Sequence, residues 1–341
     1  MQVKTKFVEE LNVMKVLATF LVVLGHVFTN YRDGGLVKPY YDNDFFVTLC
    51  SYIYSFHMPA FVAVSGGVYF YTRRVLMKYN NWGGYVLNKL KRIIVPYIFF
   101  SVFVVFPTLF VLGFTGDNPL KYFFVNYILA IDPRHLWFLL MLFEVFLLFR
   151  FFDKYVDKHN CIVGLCLALI LNWYSRYIPT FFQLGPMFRY SIYFYLGYAF
   201  MQNKNKLDGF LGVRYVGLLC FVISIVTWCI LKYDLPSMVH WIIEVFCAVA
   251  GSITLYICSK QLSNSKIVQS DIYQRISNNA FGIYLFHPVL IYSLLYITQK
   301  LSINPWVLAT STFILSFILS SYLTTFFRTI KLGWAIGERK R

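Results

Sequence analysis

Lys15 and His26 stand eleven residues apart in the first apolar run of the chain. At 3.6 residues per turn that interval is about three turns, so both side chains fall on one helix face, with Asn12 and Thr19 on the same stripe. A neutral imidazole can take a proton from a hydroxyl, and an ammonium can hold an anion. A charge at the centre of a bilayer costs about 2.5–3.5 kcal/mol to insert, so Lys15 needs a reason to be there. Spacing leaves two reasons open: proton and anion chemistry, or a polar seam between helices.

Groups of the same kind recur along the chain. Phe56-His57-Met58-Pro59 is followed by Ser65-Gly66-Gly67; Pro59 frees backbone carbonyls, and the glycines permit close helix contact or a bend. His57 is then either a second active-site group or a hydrogen-bond partner of the broken backbone. Lys89-Leu90-Lys91-Arg92 precedes Pro96. That basic cluster suits anionic lipid headgroups, or the phosphates of a cytosolic donor, which arginine grips with two parallel hydrogen bonds. Arg134-His135-Leu136-Trp137-Phe138-Leu139 opens a further run, with Glu144 about two turns deeper, and Glu244 is a second acid inside an apolar run. Either acid could neutralise Lys15 or Arg92. Tyr284 and His287 are three residues apart and so share a face, with Pro288 following. His159 and His240 fall in loops or at helix ends and receive no role.

The elements that carry these groups must lie in lipid. Of 341 residues, 59% are apolar and 13% charged, whereas a soluble domain carries about 25% charged residues. With 36 Phe and 27 Tyr, a water-soluble fold would leave large apolar areas exposed. A spanning helix needs about 20 largely apolar residues. Such runs start near Leu11, Phe45, Ile93, Leu136, Cys161, Phe188, Phe210, Met238, Ala280 and Pro305. The expectation is an all-α, polytopic membrane protein of about ten transmembrane helices.

The net charge of +16 is no nucleic-acid footprint, because the basic residues are spread over separate segments between the runs. Lys and Arg on one alternate set of segments (Lys4, Arg73, Lys154, Arg214, Lys260 and Arg339 among them) outnumber those on the other by more than two to one. That bias predicts that both termini are cytoplasmic. Seven cysteines without a CxxC pair support neither zinc nor a disulfide framework and read as small buried hydrophobes. The first run follows Lys4 and Lys6 but precedes no small-x-small site, so it reads as a retained span. With no internal repeat or low-complexity linker, residues 1–341 are expected to form one transmembrane domain with no appended soluble domain.

In this order the motifs resemble the membrane O-acyltransferase family often called acyltransferase three. The family's first-helix pattern is Leu-Asp, two residues, Arg, ten residues, His; here Leu11-Asn12-Val13-Met14-Lys15 is followed ten residues on by His26. The likeness continues in His57-Met58-Pro59 with Ser65-Gly66, in Arg92 with Pro96-Tyr97, in His135-Leu136-Trp137-Phe138-Leu139 and in Tyr284-Leu285-Phe286-His287-Pro288. It covers most of the chain. Two positions depart: Asn12 stands where the family has Asp, and Lys15 where it has Arg, a point charge in place of a two-pronged grip.

The resemblance implies transfer of an acyl group, most often acetyl, from cytosolic acyl-CoA (acetyl-CoA) to a sugar hydroxyl. The acceptor would be a cell-surface polysaccharide or lipid-linked glycan, the site a bacterial plasma membrane, with no metal and no nucleic acid involved. On that reading Lys15, Lys89 and Arg92 hold donor phosphates. His26 is the general base, with Glu144 and His57 completing the catalytic set. Asn12, Ser65, His135, Trp137, Tyr284 and His287 bind the acceptor or support the other groups. The rivals are a transporter or flippase of lipid-linked glycan, which also needs intramembrane charges and broken helices, and a non-catalytic scaffold subunit.

Overall fold

A computed structural model describes residues 2–152, 161–211 and 215–338; Lys154, His159, Arg214 and Arg339 lie outside the described residues. Among the described residues the elements are helical and no strand occurs. Apolar runs in lipid have no water to satisfy their backbone, and a helix satisfies it internally. The main helices are α1 (Gln2–Phe28), α2 (Asp44–Phe70), α3 (Trp82–Val111), α4 (Trp137–Phe151), α5 (Cys161–Tyr174) and α6 (Leu184–Gln202). They continue as α7 (Lys204–Leu211), α8 (Val216–Ile230), α9 (Ser237–Leu262), α10 (Asp271–Thr298) and α11 (Pro305–Thr329).

Six helical stretches among the described residues are long and apolar enough to cross a membrane: Glu9–Tyr31, Asp44–Val75, Trp82–Val111, Ser237–Leu262, Asp271–Thr298 and Pro305–Thr329. Helices also begin at Trp137, Cys161, Leu184 and Val216, near the four remaining runs, but they fall short in length or in hydropathy. Large side chains such as Phe103, Val111, Leu219 and Ile318 face outward, as a lipid-facing surface requires. Within α3 the winding widens to π-turns at Leu90–Ile94 and Ser101–Val105, each just before a proline, Pro96 and Pro107. Proline lacks an N–H and presses on the carbonyl four residues back, and the wider turn relieves that clash.

The chain divides into two compact units. The first comprises Met1–Gly25, Thr48–Lys78 and Ile192–Ala280. Its core includes Met14, Ala60, Val64, Leu211, Val216, Tyr256 and Ile257. Here α2 and α6 meet at backbone distance: a Cβ on Gly66 would lie 2.0 Å from the Phe194 carbonyl oxygen, and one on Gly197 2.0 Å from that of Ala63. Only glycine allows that approach.

The same unit holds an ion network around buried Glu10, its other charged members half-buried. Lys204 Nζ lies 2.9 Å from Glu10 Oε2 and also pairs with Asp208, while Lys260 Nζ lies 2.9 Å from Asp208 Oδ1. The Tyr256 hydroxyl donates to Glu10 Oε2 at 2.9 Å. Burial alone would raise the Asp208 pKa, but the ammonium groups of Lys204 and Lys260 outweigh it and hold the carboxyl below its usual range. Burial likewise opposes the charge on Lys204, and Asp208 and Glu10 together raise its pKa.

The second unit comprises His26–Val47, Tyr79–Ser191 and Phe281–Arg341. Ring pairs pack within it, among them Phe28 stacked on Phe46 at 4.6 Å and Phe100 edge-to-face against Phe286 at 4.8 Å.

Candidate functional site

The last turn of α1 delivers His26 into the second unit, where its ring lies 5.0 Å from that of His287 at an interplanar angle of 65°. His287 stands on α10, 6.1 Å from the ring of His135. Tyr284, one turn earlier on α10, lies 5.8 Å from the His135 ring and donates its hydroxyl to the His135 carbonyl. Three imidazoles and a phenol thus converge from the last turn of α1, the 3-10 turn Arg134–Leu136 just before α4, and the middle of α10. His287 and His135 are buried, whereas His26 is half-buried.

Backbone carbonyls assign the tautomers, because a carbonyl only accepts. His287 Nδ1 lies 2.9 Å from the Ile283 carbonyl oxygen and therefore carries the proton; its Nε2 has no partner among the described residues. His135 Nε2 donates to the Leu285 carbonyl at 3.2 Å, which leaves Nδ1 as the bare nitrogen. Each ring thus keeps one nitrogen as a buried acceptor, the form in which imidazole takes up a proton.

Strained backbone sets these positions. Arg134, Ala130, Phe182 and Gln183 all have positive φ (53°, 52°, 50° and 64°). Such non-glycine conformations cost about 1–2 kcal/mol each and persist only where other contacts hold them. Gln183 Nε2 donates to the Ala130 carbonyl at 2.5 Å, and the Phe182 amide to that of Leu129 at 3.1 Å. Arg134 Nε donates to the Tyr122 hydroxyl at 3.2 Å and pairs with Asp132 at 3.6 Å. His135 follows directly, so these contacts aim it. At the other end, fully buried Asn30 donates to the His26 carbonyl at 2.8 Å and accepts from the Val37 amide at 3.2 Å, folding the following loop onto the end of α1.

A cavity of about 640 Å³ opens at the basic end of α3, lined by Asn88, Lys91, Arg92, Trp334 and Glu338 among others. Its far wall is the segment after α11. Gly337 adopts φ 72°, and a Cβ there would lie 2.6 Å from the Arg92 carbonyl oxygen, so glycine is required on both counts. Glu338 is tied to Arg328 at 2.6 Å. The same added Cβ would lie 3.0 Å from Phe281, whose ring stacks 6.1 Å from Tyr284. Tyr284 and His287 share a face of α10, and six residues of rise along that helix separate Phe281, beside Gly337, from His287 by about 9 Å.

The remaining candidates are placed elsewhere. Lys89 does not line the cavity: its Nζ lies 3.1 Å above the Phe146 ring, a cation–π contact. Lys91, which the motif reading left without a role, lines the cavity beside Arg92, on the α-helical stripe of Gly84, Leu87, Asn88 and Val95. Glu144 lies two turns along α4 from Trp137 and so on its face, where Trp137 packs on Tyr190 at 5.4 Å; the Phe138 stripe is the one that reaches Tyr284, at 5.6 Å. Lys15, Asn12, His57 and Ser65 belong to the first unit. There Lys15 Nζ donates to the Ser277 carbonyl at 3.1 Å and Ser65 to that of Phe61 at 3.1 Å, while Asn12 is half-buried. His57 Nδ1 bonds the Ile53 carbonyl at 2.8 Å, and its ring stacks on Tyr54 at 4.8 Å. Among the described residues no group of three or more His, Cys, Asp or Glu side chains could hold a metal ion.

A family model described as an acyltransferase domain matches residues 8–325. The chain belongs to the acyltransferase 3 family. No curated protein and no solved structure matches it. The acyltransferase 3 match runs through both units and takes in all three converging histidines, whereas Trp334 and Glu338 lie beyond its end. Family and apolar helices together make this a multi-pass membrane acyltransferase.

Proposed function

We propose that this acyltransferase moves an acetyl group from acetyl-CoA to a sugar hydroxyl of a cell-surface polysaccharide or lipid-linked glycan in a bacterial plasma membrane. Ten membrane crossings with both termini cytoplasmic belong to the same reading, supported by the charge bias between segments. The observation that carries the chemistry is His26, half-buried and backed by two imidazoles whose second nitrogens have no partner among the described residues. A nitrogen of His26 takes the proton of the acceptor hydroxyl as its oxygen attacks the thioester carbonyl. The carbon–sulfur bond breaks, the thiolate leaves, and His26 returns the proton to sulfur. Such general base catalysis contributes about 10²–10⁴-fold in rate.

The donor head fits the cavity at the basic end of α3, with Lys91 and Arg92 on its phosphates and Trp334 offering a ring face to its base. At about 640 Å³ the cavity lies within the usual range for such ligands. Calorimetric titration of the purified protein with CoA tests this. The parent binds, and Arg92→Gln weakens binding about tenfold or more, the loss of a charge-assisted hydrogen bond. A parent that binds no CoA, in cells whose glycan export falls on deletion, contradicts the acyl-transfer reading and favours transport.

A further inference from the structure

His287 is fully buried, yet its Nε2 has no partner among the described residues. A buried nitrogen left without a hydrogen bond is costly, and its presence in a folded core asks for an explanation. The other nitrogen is fixed, its proton on the Ile283 carbonyl at 2.9 Å, so Nε2 is locked as an acceptor. The His26 ring stands 5.0 Å away, centroid to centroid, with edge geometry. His135 lies 6.1 Å off on another side, and Tyr284 has its hydroxyl engaged by the His135 carbonyl. Hydrogen bonds of this kind are commonly long before substrate binds and tighten in the reacting complex.

We propose that His287 Nε2 is the proton partner of His26: it receives a proton from His26 as His26 takes one from the acceptor hydroxyl. The proposal rests on the base reading of His26. In the step, the acceptor O–H bond breaks, an N–H bond forms on one nitrogen of His26, and the acceptor oxygen bonds to the thioester carbonyl carbon. The proton on the other His26 nitrogen moves to His287 Nε2. The carbon–sulfur bond then breaks with its electron pair on sulfur, His26 protonates the sulfur, and His287 returns its proton to His26. Positive charge is expensive away from water, and on His287 it is met by the Ile283 carbonyl that already accepts from Nδ1. His287 touches neither substrate in this scheme and acts through His26.

The experiment uses isolated membranes carrying the protein, [14C]acetyl-CoA as donor and the endogenous glycan as acceptor, with initial rates followed in mixtures of H2O and D2O. His287→Asn keeps an amide donor for the Ile283 carbonyl and removes the acceptor nitrogen. The expected result is a maximal rate about a hundredfold lower, with unchanged half-saturating acetyl-CoA and an unchanged unfolding midpoint in detergent. The isotope dependence, bowl-shaped in the parent because two protons move together, becomes linear in the variant. A parental rate in His287→Asn overturns the proposal. So does a linear isotope dependence in the parent, whatever any variant does, including one that fails to fold. His26→Ala separates the two readings: its retained activity sinks the base assignment itself, whereas an inactive His26→Ala beside a fully active His287→Asn removes only the proton partner.

Discussion

His57 in the first unit and His287 in the second sit in similar local settings. Each lies on a helix that carries a proline just beyond it, Pro59 or Pro288. Each is buried and places Nδ1 on the carbonyl four residues back, Ile53 or Ile283. What surrounds them differs. His57 stacks flat on Tyr54, in a unit where Glu10, Asp208, Lys204 and Lys260 close an ion network. His287 faces two more imidazoles, and its Nε2 has no hydrogen-bond partner among the described residues. The first unit closes its charges on one another and its other polar groups on backbone carbonyls; the second keeps imidazole nitrogens in reserve. Buried polar groups that are satisfied stabilise, and those that are not are where chemistry has room to happen.

The contrast breaks most visibly in activity. Asn at position 287 lowers acyl transfer about a hundredfold, while Asn at position 57, which keeps a donor for the Ile53 carbonyl, leaves transfer per folded molecule within about threefold. Equal losses at both positions, measured in the same membranes, end the distinction. Stability shows the reverse. Lys204→Met leaves Glu10 buried against a neutral side chain and costs about 3–5 kcal/mol, read as a lower unfolding midpoint in detergent with unchanged transfer per folded molecule; a loss under about 1 kcal/mol contradicts the network's role.

Arg134→Gly sharpens the contrast at a smaller scale. It relieves a left-handed residue worth about 1–2 kcal/mol but releases the contacts to Tyr122 and Asp132 that aim His135. Transfer falls several-fold while the unfolding midpoint holds, and unchanged transfer shows that the strain aims nothing. The smallest effect is in pH. Because Asp208 is held below its ordinary value of 3.8, its stabilising contribution is complete above that value and is lost as pH falls through the lowered one. Asp208→Asn flattens that acid limb of the unfolding midpoint, and an unaltered limb assigns it to other groups.

Much of this architecture is legible in the residues alone. α1, α2, α9, α10 and α11 are long apolar runs whose helical state lipid enforces. α3 starts well before the run at Ile93, because Asn81 caps it at the Gly83 amide and the intervening Lys89, Lys91 and Arg92 mask its apolar character. Periodicity reports which residues share a helix face, so it pairs Tyr284 with His287 but says nothing of His26 meeting His287 from the far end of the chain. Lys91 and Arg92 fall on the α-helical stripe of Gly84, Leu87 and Asn88, but spacing says nothing of Trp334 and Glu338, which the segment after α11 brings up to them. The turn of Arg134, and with it the aim of His135, depends on Gln183 and Tyr122 reaching in from distant segments. Asn12 and Lys15, the two departures from the family pattern, both lie in the first unit, where Lys15 reaches a backbone carbonyl.

The most direct test of the account is the base-labile ester content of surface glycan in cells carrying the protein, a deletion, or His26→Ala at equal membrane abundance. The account predicts that ester disappears in the deletion and is not restored by His26→Ala. Ester restored by His26→Ala to the parental level would contradict it.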